Sequence, residues 1–213
     1  MGTLPGLIII GAGGFGREVL AWAEQSVQLG REWTIKGFID DNPEALAGKR
    51  APAPLLGRIA DWQPAADEVF VCAVGAPEAK RQCAELIAAR GGRFARLFHR
   101  TAVVAHETNL GDGVILCPHA VISPQARLGR GVAINYHSNV AHDAEVGDWS
   151  QVNGHCDLTG GVWVGREVWF STHAAVAPGV RVGDGAYIGA GAIVIEDVEP
   201  GTRVFGVPAE RFG

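Results

Sequence analysis

The chain has 213 residues, enough for one large domain or two small ones, and its formal net charge of -5 leaves no basic footprint for a nucleic acid. No apolar run reaches the ~20 residues a membrane span needs, and the opening stretch lacks the charged leader and long apolar core of a secretory signal. Cys72, Cys83, Cys117 and Cys156 have no CxxC spacing, so no disulfide framework is expected and the chain reads as cytoplasmic.

Leu7 to Ile10 is a short buried strand that runs into Gly11-Ala12-Gly13-Gly14-Phe15-Gly16. An amphipathic helix follows, with Val19, Leu20, Ala23 and Val27 on one face. A second strand, Ile35 to Ile39, ends at Asp40-Asp41, and a third, Val69 to Val74, ends at Gly75. A helix from Pro77 to Arg90 and a strand near Phe94 to Leu97 complete the segment. Strands alternating with helices imply a small parallel α/β sheet of Rossmann-like type. Gly11, Gly13 and Gly16 fit a strand–GxGxxG–helix turn, which lets backbone approach a phosphate and aims helix N–H groups at it. The acidic pair after the second strand is placed to bond a ribose or a base edge. A turn that only packs helix on strand is the alternative. About ninety residues make half of a dinucleotide fold, so a nucleotide-linked sugar fits the size better than a dinucleotide. Trp22, Trp33 and Trp62 are expected in the core or hinge of this part.

From Val104 to Val194 every sixth residue is a large apolar one, through Leu110, Leu116, Ile122, Leu128, Ile134, Val140, Val146, Val152, Leu158, Val164, Phe170, Val176, Val182 and Ile188. A period of six belongs to neither a helix nor a plain strand; it marks a repeat architecture. Two residues before each sits a compact inward position, Cys156 among them. Leu-Gly or Val-Gly pairs recur every 18 residues, so three hexads make one triangular coil. About five coils then stack at the strand spacing of ~4.8 Å as a parallel β-helix. Gly113, Gly131, Gly179 and Gly185 suit corners with positive φ. His119, His137, His155 and His173 stand 18 apart and so stack on one corner. Three readings are open for them: residues chosen for a left-handed backbone, a subunit interface, or a metal site. Trp163 and Trp169 do not point inward, and mark either a contact surface or lateral packing under the C-terminal tail.

The order of these parts resembles the hexapeptide-repeat bacterial sugar acetyltransferases of the sialic-acid O-acetyltransferase type, which include N-acetyltransferases of nucleotide-linked 4-amino sugars. The resemblance is carried by Gly11 to Gly16, Phe38-Ile39-Asp40-Asp41, Asn135 through Val140 to His142-Asp143, Leu158 to Val162, and Gly206-Val207-Pro208-Ala209. It implies a Rossmann-like nucleotide-sugar-binding domain over residues 1–98 and a left-handed β-helix with a short C-terminal tail over 99–213. It implies His142 as general base, Asp143 as its partner and the Gly160 N–H as oxyanion donor. Gly13, Gly14, Phe15, Asp40, Asp41, Gly75 and Asn135 would hold the substrate, and Gln151, Thr172 and Ala190 would lie along acetyl-CoA. A homotrimer is implied, with no metal, membrane or nucleic acid. The chain departs from the family by Phe15 and Gln151, where many relatives carry His. Chemistry supports the pairing: an ammonium must lose a proton before it attacks a thioester, and a neutral imidazole backed by a carboxylate can take it. Rival classes are O-acetylation of a sugar such as sialic acid, a zinc enzyme of the γ-carbonic anhydrase type, and a β-solenoid without activity.

Overall fold

The computed structural model describes residues 3–212, which form two compact units divided between Arg100 and Thr101. The first unit contains β1 (Gly6–Ile10), α1 (Gly14–Ala23), β2 (Thr34–Ile39), β3 (Leu55–Gly57), β4 (Glu68–Cys72) and α2 (Pro77–Ala89). All four strands are parallel, in the order β3-β2-β1-β4. Leu7 to Ile10 and Val69 to Cys72 are buried without alternation, as expected of a sheet covered on both faces. Helix α1 packs on β1 and α2 on β4. Gly16 seats α1 against the turn: any side chain there would collide with the Gly11 carbonyl.

Four details differ from the sequence expectation. The first helix ends at Ala23, so Val27, expected on its apolar face, lies beyond it and is exposed. The third apolar run leaves the sheet at Cys72 rather than Val74. Phe94 contributes a single bridge to Phe70, with a two-residue strand after it at Leu97–Phe98. The unexpected strand β3 has only three residues, too few to show a period.

The second unit is a parallel β-helix of two-residue strands, left-handed as in the fold class to which it corresponds. Its first face stacks the strands at residues 109, 127, 145, 163 and 181. The second face stacks those at 115, 133, 151, 169 and 187, and the third those at 103, 121, 139, 157, 175 and 193. Every pairing within these three stacks joins residues 18 apart, so the register is the sequence period itself. The large apolar residues form three buried interior ladders, one per face. Each is worth ~1.5–3 kcal/mol as it leaves water. Val104 is the exception; it opens the first coil and stays partly exposed. Corners impose a left-handed backbone. Nine non-glycine residues take φ between 55° and 66°, all at corners, and the four stacked histidines are among them. At the far end Arg203–Phe205 pairs with the last coil, and Glu210–Arg211 turns back antiparallel on it. That hairpin covers an edge which would otherwise be open to another chain.

Candidate active site

His142 and Asp143 occupy the corner between the third and first faces, where Asp143 has φ of 61°. This turn points both side chains outward, with 69% and 58% of their surfaces exposed. The Asp143 Oδ2 lies 2.8 Å from His142 Nδ1. With Nδ1–H donating to that carboxylate, Nε2 of the neutral ring is the free acceptor. One coil on, Gly160 lies against the ring: a Cβ built there would sit 2.6 Å from both Cε1 and Nε2. Backbone bonds lock the two coils together, with Gly161 N–H donating to the His142 carbonyl at 2.9 Å and Gly179 N–H to that of Gly160 at 3.0 Å. The Gly160 N–H has no acceptor among the described residues. The basic nitrogen therefore lies against the residue whose backbone donor is unused.

The residues expected along an acyl donor lie elsewhere on the prism. Thr172 and Ala190 share a column at the corner between the second and third faces. Thr172 Oγ1 donates to the Gly154 carbonyl at 2.8 Å. Gln151 is on the second face and only 1% exposed, with its amide 3.5 Å from Asn153 Oδ1. Asn135 is buried too, and its side-chain oxygen accepts from Tyr136 N–H at 2.8 Å. Within one chain, none of these residues faces His142 from across a cleft.

The histidine column stacks face to face on that same corner. Ring centroids are 4.8, 5.1 and 4.7 Å apart, with interplanar angles of 16°, 8° and 11°. Parallel rings in a straight ladder do not converge on one point, as a tetrahedral metal site requires. Among the described residues no group of three or more His, Cys, Asp or Glu is placed to hold a metal.

A groove of about 590 Å³ runs along the first face. Its charges are already matched: Arg127 with Glu145 at 3.3 Å, Arg130 with Asp148 at 3.0 Å, and Arg166 with Asp184 at 3.2 Å. Arg181 lies 4.3 Å over the Trp163 ring. This is a solvated, self-paired surface rather than a site with unmet valence. Trp169 stacks on Tyr187, which meets Phe205 and then Phe212, so this indole packs laterally under the C-terminal tail.

In the first unit, β1, β2 and β4 end at one edge of the sheet. Chain order reverses between β1 and β4, which makes the crevice there a topological switch point. Gly13 and Gly14 line it with open space where side chains would be, and Gly75 follows β4. Helix α1 begins with no side-chain cap and no acid in its first turn, so its N–H groups remain available to an anion. Phe15 sits half-buried in that turn. Asp40 ties the turn to β2: Oδ2 accepts from Ala12 N–H at 2.7 Å and Oδ1 from Asn42 N–H at 2.8 Å. Asp41 Oδ1 accepts from Ala60 N–H at 3.0 Å. Arg17 also reaches the turn, through Nη1 to the Ala12 carbonyl at 3.2 Å. Its sequence signal is a cation directly after the last glycine, which the glycine pattern alone does not draw out.

Residues 6–87 match the family of the PglD N-terminal domain. The acetyltransferase domain of PglB from Neisseria gonorrhoeae, in complex with acetyl coenzyme A, is similar in structure with a TM-score of 0.89 at 29% identity. The likeness covers 98% of this chain and 100% of that one. PerB from Caulobacter crescentus, in complex with CoA and GDP-perosamine, has a TM-score of 0.88 at 25% identity, over 99% of both chains. WeeI from Acinetobacter baumannii has a TM-score of 0.79 at 25% identity, over 99% of this chain and 100% of the other. No curated protein matches in sequence.

Proposed function

We infer that this chain, an acyltransferase with the architecture of the hexapeptide-repeat sugar acetyltransferases, moves the acetyl group of acetyl-CoA to the amino group of a nucleotide-linked amino sugar of the 4-amino-4,6-dideoxy type. The observation that carries the reading is the His142–Asp143 pair held at 2.8 Å beside the unused Gly160 N–H. The likeness to proteins bound to acetyl coenzyme A and to GDP-perosamine supports the choice of donor and acceptor.

The reaction follows from these groups. The amine lone pair attacks the thioester carbonyl carbon and forms the C–N bond. His142 Nε2 takes the proton from nitrogen, and Asp143 stabilises the resulting imidazolium. The carbonyl oxygen becomes an oxyanion, and Gly160 N–H donates to it. The C–S bond then breaks, and the imidazolium returns its proton to the thiolate of CoA. In the first unit Gly13, Gly14, Phe15 and Gly75 border the diphosphate and sugar, and Asp40 and Asp41 serve the nucleoside end. Asn135 is the β-helix residue that the resemblance offers as a substrate contact. Gln151, Thr172 and Ala190 serve acetyl-CoA; they stand away from the dyad's corner, which supports assembly with a second copy that brings them to it, and the resemblance supplies the homotrimer.

A thiol-release assay with acetyl-CoA and a panel of UDP-, GDP- and dTDP-linked amino sugars tests the reading. Turnover is expected with at least one of them, and His142→Ala should lose ~10²–10⁴-fold, as removal of a general base predicts. Full activity in that variant removes the mechanism. Acetylation of free sialic acid in place of any nucleotide sugar removes the acceptor.

A further inference from the structure

His142 needs an opposite wall. A base on an open corner, 69% exposed, has no means of excluding water from a reacting thioester. The three faces of the prism differ in what they can supply. The first is charged and paired with itself. On the second, Ile115, Ala133 and Gln151 are already buried within a single chain, and Trp169 and Tyr187 stack under the tail. The third face remains. It presents Val103 at 57% exposure, Val121 at 39% and, just beyond its last strand, Ile195 at 53%. Ala141 and Ala175 keep it flat, and its central polar pair, Asn139 and Asp157, bond each other at 2.7 Å. A face with exposed aliphatic side chains toward its ends and a self-bonded polar pair between them fits a second copy of the same chain.

The consequence is geometric. The third face runs from the histidine-ladder corner to the His142 corner. A ring of copies that turns this face inward about an axis parallel to the prism sets the dyad corner of one copy beside the ladder corner of the next. Such an axis preserves height. Tyr136 precedes His142 by six residues, one corner earlier in the same coil, so the two differ in height by a third of a coil, ~1.6 Å. Tyr136 is 36% exposed. Its ring lies over Gly154, where a Cβ would meet it at 2.5 Å, and edge-on to His155 with centroids 5.5 Å apart. The ring is thus fixed on the corner, and its hydroxyl has no partner among the described residues. Thr172 and Ala190 continue the same column two and three coils on, ~10 and ~14 Å along the axis. A donor laid along that column with its thioester toward Tyr136 would present the thioester within ~1.6 Å of the height of His142.

From this we propose that Tyr136 of a neighbouring copy forms the wall of the acyl-donor cleft opposite His142. The proposal rests on the acetyl-transfer reading above. Its ring packs against the thioester end and shuts out water. The test is complementation between subunits. Tyr136→Ala should lower kcat/KM for acetyl-CoA by ~10–100-fold through misplacement of the donor, while Tyr136→Phe, which keeps the ring, stays near the wild type. His142→Ala alone should be almost inactive. When Tyr136→Ala and His142→Ala chains are co-expressed in equal amounts, a site needs His142 from one chain and Tyr136 from its neighbour. Random mixing in a closed ring then restores about a quarter of the sites. Activity well above the mean of the two parents is the expected result. Activity at that mean, or a fully active Tyr136→Ala, overturns the proposal while leaving the acetyl-transfer reading intact. A wild type that transfers acetyl to no nucleotide-linked amino sugar sinks that reading, and the wall falls with it.

Discussion

At the scale of single residues, Gly160 makes two separable contributions, and substitution tells them apart. Alanine keeps the backbone N–H, so oxyanion donation survives, but its Cβ would sit 2.6 Å from the His142 Nε2 and drive the ring aside. Gly160→Ala should therefore cost activity by ~10²-fold, the size of effect that a displacement of about 1 Å produces. Its melting temperature should stay close to the wild type, because the ring lies on the surface and can swing away. A large loss of melting temperature would make Gly160 a folding residue instead. Glu68 is a buried carboxylate of the first unit that accepts from three donors. Burial would raise its carboxyl, but hydrogen bonds from Lys36 Nζ at 2.6 Å, Ala65 N–H at 2.9 Å and Trp62 Nε1–H at 3.1 Å outweigh burial and hold it below its ordinary value. A depressed folded-state value means stability that is fully present above the ordinary carboxylate value and is lost as pH falls from there through the lowered one. Glu68→Gln should thus cost about 1–3 kcal/mol at pH 7, and the difference from the wild type should shrink toward pH 3. Urea unfolding at the two pH values measures both quantities.

At the scale of elements, the corners decide what the repeat tolerates. The ladder histidines hold φ from 55° to 61°, a region that bulky β-branched residues avoid. His155→Val should cost at least ~1–2 kcal/mol from backbone conformation alone. His155→Gly removes that strain and loses only the ring contacts with His137, His173 and Tyr136. Glycine should therefore melt above valine at this position, and the reverse order would show that backbone conformation does not decide the residue here. This contrast also explains how much of the β-helix was legible. Hexad spacing stated the register in advance, because the only way to bury Leu128, Val146 and Val164 together is to stack them 18 apart. The conformational reading of the histidines followed from the same corner logic. The site was legible as a pair of neighbours, His142 and Asp143, but not as a cleft. Thr172 and Ala190 fall on another corner, and no feature of a linear period says which corners of separate copies meet. Strand β3 and the end of β4 escaped for a different reason: the strand has no period at three residues, and backbone contacts with β2 define it.

Considered as a whole molecule, the chain divides its labour between two cores, each with its own internal contacts. A nucleotide recognised at the β1–β4 crevice should stabilise the unit that holds it. By mass action a nucleoside diphosphate at a hundred times its dissociation constant adds ~2.7 kcal/mol to that unit. Calorimetry on the full chain should then resolve a transition that rises with the cognate nucleotide and another that does not. UDP, GDP and dTDP can be compared in turn, since only the one whose base fits near Asp41 should move the first transition. Asp40 should behave differently in this experiment. Both of its oxygens are engaged by Ala12 and Asn42 N–H groups, so Asp40→Ala should lower the first transition even without nucleotide. Asp41→Ala should chiefly weaken the nucleotide-dependent rise. If all three nucleotides leave both transitions unmoved at millimolar concentration, the glycine turn is a packing device, and the acceptor cannot be a nucleotide-linked sugar held at this crevice.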